Sequence, residues 1–158
     1  MAIQVGDDAP DFTLKDQAGT EVSLSSYRGE QNVVLVFYPF TFSGICTGEL
    51  CELRDDPSTF TGAGAQVLAV SCNARHAQAA WAEQEGFDFP VLSDFWPHGE
   101  VAKAYGVFND TLGCANRATF VIDKGGKVAA TFATAEITSP RQHSEYEAAL
   151  ATLGEPNG

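Results

Sequence analysis

The first pattern along the chain is a short alternation of apolar and polar residues. Phe12-Thr13-Leu14 and Glu21 to Leu24 alternate around Gly19, as the arms of a small β-hairpin do. Asn32 to Tyr38 (NVVLVFY) is a continuous β-branched and aromatic run, which predicts a central strand covered on both faces and ended by Pro39. From Ser43 to Phe60 the period becomes helical. At about 100° per residue from Cys46, the residues Leu50, Leu53, Pro57 and Phe60 all fall within roughly 40° of it. Cys46 therefore shares an apolar stripe, and Pro57 predicts a break or kink late in the segment.

Further on, Ala65 to Ser71 predicts a second buried strand and Ala74 to Gln84 an Ala-rich helix closed by Gly86. Val91 and Leu92 predict a short strand, and Glu100 to Tyr105 a short helix before Gly106. Thr119 to Asp123 and Lys127 to Phe132 flank a Lys124-Gly125-Gly126 turn, and Arg141 to Leu150 supplies a terminal helix. The order β-β-β-α-β-α-β-(α)-β-β-α predicts one α/β domain over residues 1–158, a central mixed sheet with helices on both sides. Such an order fits a thioredoxin-like sandwich.

Charge narrows the partners. Nine basic against twenty-one acidic residues give a formal net charge of −12 over 158 residues. That field opposes phosphate backbones and anionic lipid, so neither nucleic acid nor membrane is an expected partner, and neutral substrates are favoured. The first residues, MAIQVGDDAPDF, lack a basic stretch followed by an apolar one, so the cytoplasm is the expected compartment.

The candidate chemistry lies with Cys46, Cys51, Cys72 and Cys114. In a reducing compartment cysteines serve as core residues, metal ligands or catalysts. Zinc ligation favours closely spaced pairs, and only Cys46 and Cys51 approach that spacing. No metal or cofactor is therefore expected. The C-x-x-C of a disulfide reductase is absent. Cys46 stands apart because Pro39-Phe40-Thr41-Phe42-Ser43-Gly44-Ile45-Cys46 puts it just past a strand, in the first turn of a helix. Free N–H groups and the positive end of the helix dipole suit an anionic sulfur there. Ionisation alone is a small effect. An ordinary thiol is already a few per cent thiolate at neutral pH, so complete ionisation gains only about 30-fold. Larger acceleration needs donors that grip the reacting oxygens as a bond stretches.

Pro39-x3-Ser43-x2-Cys46 resembles the P-x3-[T/S]-x2-C motif of the peroxiredoxins, and Asn116-Arg117-Ala118-Thr119-Phe120 resembles the arginine that opens a late strand in that family. The resemblance runs from Ala9-Pro10-Asp11-Phe12 to the terminal helix. It implies a thioredoxin-like fold with peroxiredoxin additions and a thiol-dependent peroxidase acting on hydrogen peroxide and alkyl or lipid hydroperoxides. It assigns Cys46 as the peroxidatic nucleophile, Pro39 as its shield, Ser43 as the group that orients the peroxide and Arg117 as the group that polarises it. Ser43 could also serve as the helix N-cap. Glu49 could hold an active-site arginine, as in related peroxiredoxins, or be a solvated carboxylate. Phe37, Tyr38, Phe40 and Phe42 could form an apolar collar, or be core or dimer contacts. The family also implies a homodimer reduced by thioredoxin, by a mycoredoxin- or glutaredoxin-type protein, or by a low-molecular-weight thiol.

Within the family, Ser93 to Gly99 (SDFWPHG) and Tyr105-Gly106-Val107-Phe108 resemble the AhpE-type one-cysteine branch. Cys46-x4-Cys51 instead resembles the PrxQ (bacterioferritin comigratory protein) branch, in which the second cysteine resolves the sulfenic acid. Cys51 lies about 140° from the apolar stripe, where a packing cysteine is not expected. In an intact helix Cα atoms five residues apart are about 8–9 Å apart. A disulfide tolerates roughly 7 Å, so the first turn must unwind, and Gly48 eases that. Cys72 reads as a packed small hydrophobe and Cys114 as a loop thiol near Arg117. Either could resolve Cys46 in place of Cys51, as could an external thiol.

Overall fold

Three continuous apolar runs form the middle of one seven-stranded sheet in the computed structural model, which describes residues 3–153. They are β3 (Asn32–Phe37), β4 (Ala65–Ser71) and β8 (Ala118–Ile122). The outer strands are β1 (Thr13–Lys15), β2 (Glu21–Ser23), β5 (Val91–Ser93) and β9 (Val128–Ala133), in the order β2-β1-β5-β4-β3-β8-β9. β3 runs parallel to β4 and antiparallel to β8, so the sheet is mixed, as expected. Among the described residues five α-helices accompany it: α1 (Gly44–Asp55), α2 (Pro57–Thr61), α3 (Arg75–Glu85), α4 (Glu100–Ala104) and α5 (Ser144–Ala151).

Successive strand residues face opposite sides, and β3 feeds two cores that way. Val34 and Val36 pack with Leu50, Leu53, Phe60, Trp81 and Tyr146 on one face. Val33, Leu35 and Phe37 pack with Leu24, Val101, Tyr105 and Phe120 on the other. A fully buried leucine such as Leu50 contributes about 2 kcal/mol of hydrophobic stabilisation. That contribution fixes which face of α1 meets the sheet. Among the described residues no helix is long and apolar enough to cross a membrane.

The exit from β3 aims the chain into α1. The Tyr38 N–H donates to Val70 O at 3.0 Å, and Pro39, with no N–H to give, ends the ladder. The next residues are tied down individually: Thr41 N–H donates to Asn73 Oδ1 at 2.9 Å, and Tyr38 Oη and Thr41 Oγ1 share a hydrogen bond. Phe42 then adopts a left-handed backbone, φ +71°, which costs a non-glycine residue about 1–3 kcal/mol and turns the chain toward the helix.

Three expectations need correction. Pro57 breaks residues 43–60 into two helices, as expected, by opening α2, but it is exposed and does not belong to the buried stripe. The terminal helix starts at Ser144, three residues later than expected, and Arg141 lies ahead of it with its N–H donated to Glu49 Oε2. A two-stranded ribbon, β6 (Phe108–Asn109) with β7 (Cys114–Ala115), was not anticipated. Asn109 Oδ1 accepts the Thr111 and Leu112 N–H groups and so closes its turn. Cys114 is thus a buried strand residue and not a loop thiol.

Candidate active site

Strand register brings the candidate residues together. Phe37 pairs with Ala118 across the antiparallel β3–β8 ladder, so the end of β3 lies beside the start of β8. The residue before Ala118 is Arg117, and the loop after β3 leads to Cys46 in the first turn of α1. Both side chains are buried. Arg117 Nη1 donates to Cys46 Sγ at 3.2 Å and also to Glu49 Oε1. Arg117 Nε donates to the carbonyl of Ile137, which fixes the plane of the guanidinium.

Glu49, one turn after Cys46, is buried and joins two arginines. Its Oε1 also accepts Arg141 Nη2 at 3.0 Å, and its Oε2 accepts the Arg141 N–H at 2.6 Å and Nε at 3.0 Å. Arg141 Nη1 then reaches Ala118 O at 3.0 Å and Thr119 Oγ1 at 3.1 Å. Burial by itself would raise the Glu49 pKa. The hydrogen bonds and charge of Arg141, with the charge of Arg117, outweigh it and hold the carboxyl below its ordinary range. Desolvating such a group offsets much of its attraction, so it adds more to geometry than to net stability. What it achieves is a guanidinium that cannot turn away from the sulfur. The solvated-surface reading of Glu49 is excluded by this burial.

Ser43 occupies the N-cap position of α1, with extended backbone, yet its side chain makes no capping bond. Its carbonyl takes both the Thr47 N–H and the Thr47 Oγ1, each at 2.8 Å. The serine hydroxyl is therefore not used by the helix end. Pro39 is buried at the loop entrance. Of the four aromatics expected as a collar, Phe37 and Tyr38 belong to opposite cores, and only Phe40 and Phe42 are exposed, at 38% and 49%. At most two of the four rings are therefore available to a collar. Arg117 also lines a cavity of about 280 Å³, together with Asn109, Leu112, Asn116 and residues 134–137.

Cys51 is not drawn into this cluster. α1 is helical through both cysteines. The Cys51 thiol turns toward α3, where it donates to Glu85 Oε1 at 3.5 Å and packs at the border of the nearer core. The wheel placed it on a polar face, but α3 covers that face. Burial, then the Glu85 carboxylate, raise its pKa. Cys72 is buried, as expected for a packing residue, and burial first, then Asp94 and Cys114, push its thiol up to about 12. All four cysteines are free thiols. Arg141 is the one member of the cluster that sequence reasoning missed. Residues 141–150 read as one amphipathic helix, and nothing adjacent to Arg141 signals a buried cation.

A model of the AhpC/TSA family matches residues 5–131. The chain is a peroxiredoxin of that family. It is 53% identical over 124 residues to alkyl hydroperoxide reductase E of Mycobacterium tuberculosis, covering 78% of this chain and 81% of that protein. Chloroplastic peroxiredoxin Q of Sedum lineare is 40% identical over 124 residues, covering 78% of this chain and 65% of that one. Among solved structures, peroxidoxin BcpB of M. tuberculosis superposes with a TM-score of 0.84 at 36% identity, over 96% of each chain. Both branches that the sequence resembles are thus among its relatives, and the peroxiredoxin version of the thioredoxin-like fold accounts for the mixed sheet. Membership makes the chain a thiol-dependent peroxidase.

Proposed function

We propose that Cys46 reduces hydrogen peroxide and organic hydroperoxides and that Cys51 resolves the product. The carrying observation is the Arg117 Nη1 donor, 3.2 Å from Cys46 Sγ and secured by Glu49. In this reading Cys46 Sγ attacks the nearer peroxide oxygen and the O–O bond breaks. The leaving oxygen departs as water or an alcohol with a proton, and Cys46 becomes a sulfenic acid. Arg117 and the free Ser43 hydroxyl hold the two oxygens as they separate, and Pro39 keeps bulk water off the sulfur. Phe40 and Phe42 offer an apolar rim to an alkyl or lipid tail. With a net charge of −12, a neutral peroxide meets no long-range repulsion.

Resolution by Cys51 draws support from the C-x4-C spacing and the peroxiredoxin Q relative. Two observations favour a second reading, the one-cysteine cycle. The Cys51 thiol is already engaged with Glu85 on an unbroken helix, and the relative at 53% identity carries the E-type name. In that cycle an external thiol reduces Cys46. One equivalent of hydrogen peroxide followed by intact-mass and peptide analysis separates the two. A Cys46–Cys51 disulfide supports the first; a lasting Cys46 sulfenic acid supports the second. Peroxide consumption at the wild-type rate by Cys46→Ser would overturn both. A single-domain homodimer in the cytoplasm, recycled by thioredoxin, a mycoredoxin- or glutaredoxin-type protein or a small thiol, completes the proposal.

A further inference from the structure

Cys51 and Arg54 lie three residues apart on one side of α1, and both reach the same residue of α3. Cys51 Sγ donates to Glu85 Oε1 at 3.5 Å, while Arg54 Nη1 donates to the Glu85 carbonyl at 2.6 Å. Gln84 Nε2 donates to the second carboxylate oxygen, Oε2, at 3.0 Å. Glu85 is the last residue of α3, immediately before Gly86, whose left-handed φ of +70° ends the helix. The carboxylate is thereby held by its own helix end with one oxygen facing the Cys51 sulfur.

We propose that Glu85 is a positioning residue for the resolving step: it parks Cys51 as a neutral thiol on α3 and restrains it until Cys46 is oxidised and the first turn of α1 opens. This inference rests on the reading of Cys51 as the resolving thiol. The chemistry is that of a carboxylate beside a sulfur. It accepts a hydrogen bond from the thiol but repels the thiolate, so it favours the protonated form. The raised pKa of Cys51 agrees, with burial as the larger cause and Glu85 next. The other charges facing the thiol are Arg54, which acts in the opposite sense, and Asp55, which acts in the same sense as Glu85. Arg54 is drawn off by its own pair with Asp55 at 2.8 Å.

A resting thiol of this kind does not compete with Cys46 for peroxide or for other disulfides, since the thiolate is the reactive form. Resolution then requires two events, release of Cys51 from Glu85 and approach of Cys46. In the step itself the Cys51–Cys46 S–S bond forms as the sulfenic S–O bond breaks. The hydroxyl leaves with the Cys51 proton as water, and no further oxidant is needed.

The test separates the restraint from the resolving role. In the Cys46→Ser protein, alkylation of Cys51 by iodoacetamide is followed by peptide mapping across pH. Glu85→Gln keeps the size and an acceptor but removes the charge. It should move the alkylation midpoint to lower pH and make Cys51 react about tenfold faster at neutral pH, the effect of losing a close like charge. Glu85→Asp, which keeps the charge, should stay within about twofold of the parent. An unchanged pH profile in Glu85→Gln overturns the proposal. With Cys46 present, Glu85→Gln should form the Cys46–Cys51 disulfide several-fold faster after one equivalent of peroxide, and slower formation overturns the restraint. If Cys46→Ser shows the alkylation shift but no Cys46–Cys51 disulfide forms in the unmodified protein, the resolving role fails and with it the proposal. A lost shift with an intact disulfide fails the restraint alone.

Discussion

Glu49 keeps apart the charges of two arginines that would otherwise be buried together without a counter-ion. Glu49→Gln removes that compensation, and breaking a buried ionic group this way costs about 3–5 kcal/mol, readable in urea unfolding. The sign of its pH dependence comes from the depressed pKa. The folded value lies below the ordinary 4.5, so the stabilisation is complete above that pH and is lost as pH falls through the folded value. Acid unfolding of the wild type should therefore steepen below about pH 4.5, and in Glu49→Gln that contribution should be absent. Arg117→Lys keeps a charge but loses the planar fork that serves sulfur and Glu49 together. Stopped-flow measurement should show sulfenic acid formation slowed by about 10² to 10³, the effect of losing one well-aimed donor. At this scale Cys46 and Ser43 stand out in the sequence through one spaced motif and Arg117 through a separate strand-opening segment, whereas Glu49 is legible only as a residue one turn from the thiol. Arg141 is not legible at all. Its partner is 92 residues away, and the contact depends on how the chain returns after β9.

α1 carries both candidate thiols, and both of its ends are tied to α3. Trp81 Nε1 donates to Thr47 Oγ1 at 3.1 Å near the first turn, and Arg54 anchors the last turn to α3. Gly48 lies between, with open space where a Cβ would stand. Gly48→Ala should therefore stabilise the helix by about 0.8–1 kcal/mol and, if unwinding precedes the disulfide, slow its formation about fivefold. Trp81 fluorescence after a peroxide pulse reads that rate, because opening the first turn breaks its bond to Thr47. An unchanged rate would mean that α1 does not open there. Element boundaries were legible wherever a period or a punctuating residue marked them: Pro39 ending β3, Gly86 closing α3, Lys124-Gly125-Gly126 turning β8 into β9. What failed to show was the ribbon of β6 and β7, two residues each, too short for any period to register. The wheel for α1 found the buried stripe correctly but had no knowledge of α3, and so placed Cys51 in solvent.

Across the whole molecule, charge and site are arranged at odds. The net charge is −12, yet Arg117 and Arg141 are buried together beside the thiol. A neutral hydroperoxide should react at a rate nearly independent of ionic strength. An anionic oxidant such as peroxynitrite should react faster as salt screens the outer field. Parallel stopped-flow titrations with sodium chloride, one for each oxidant, would show the contrast. The mixed sheet was legible from the order of elements, and the juxtaposition of Cys46 and Arg117 comes from one register, Phe37 opposite Ala118. Glu49 also stands between the two thiols in the chain, three residues from Cys46 and two from Cys51, and its arginines are anchored to β8 and to the stretch before α5. A helix clamped at that point can open only on the side of Cys46. The travelling thiol is then the oxidised one, on a tether of a few residues, while the guanidinium it leaves stays in place. An unoccupied but still shaped socket receives the sulfur again on reduction, so the return of each cycle is a short search and not a refolding.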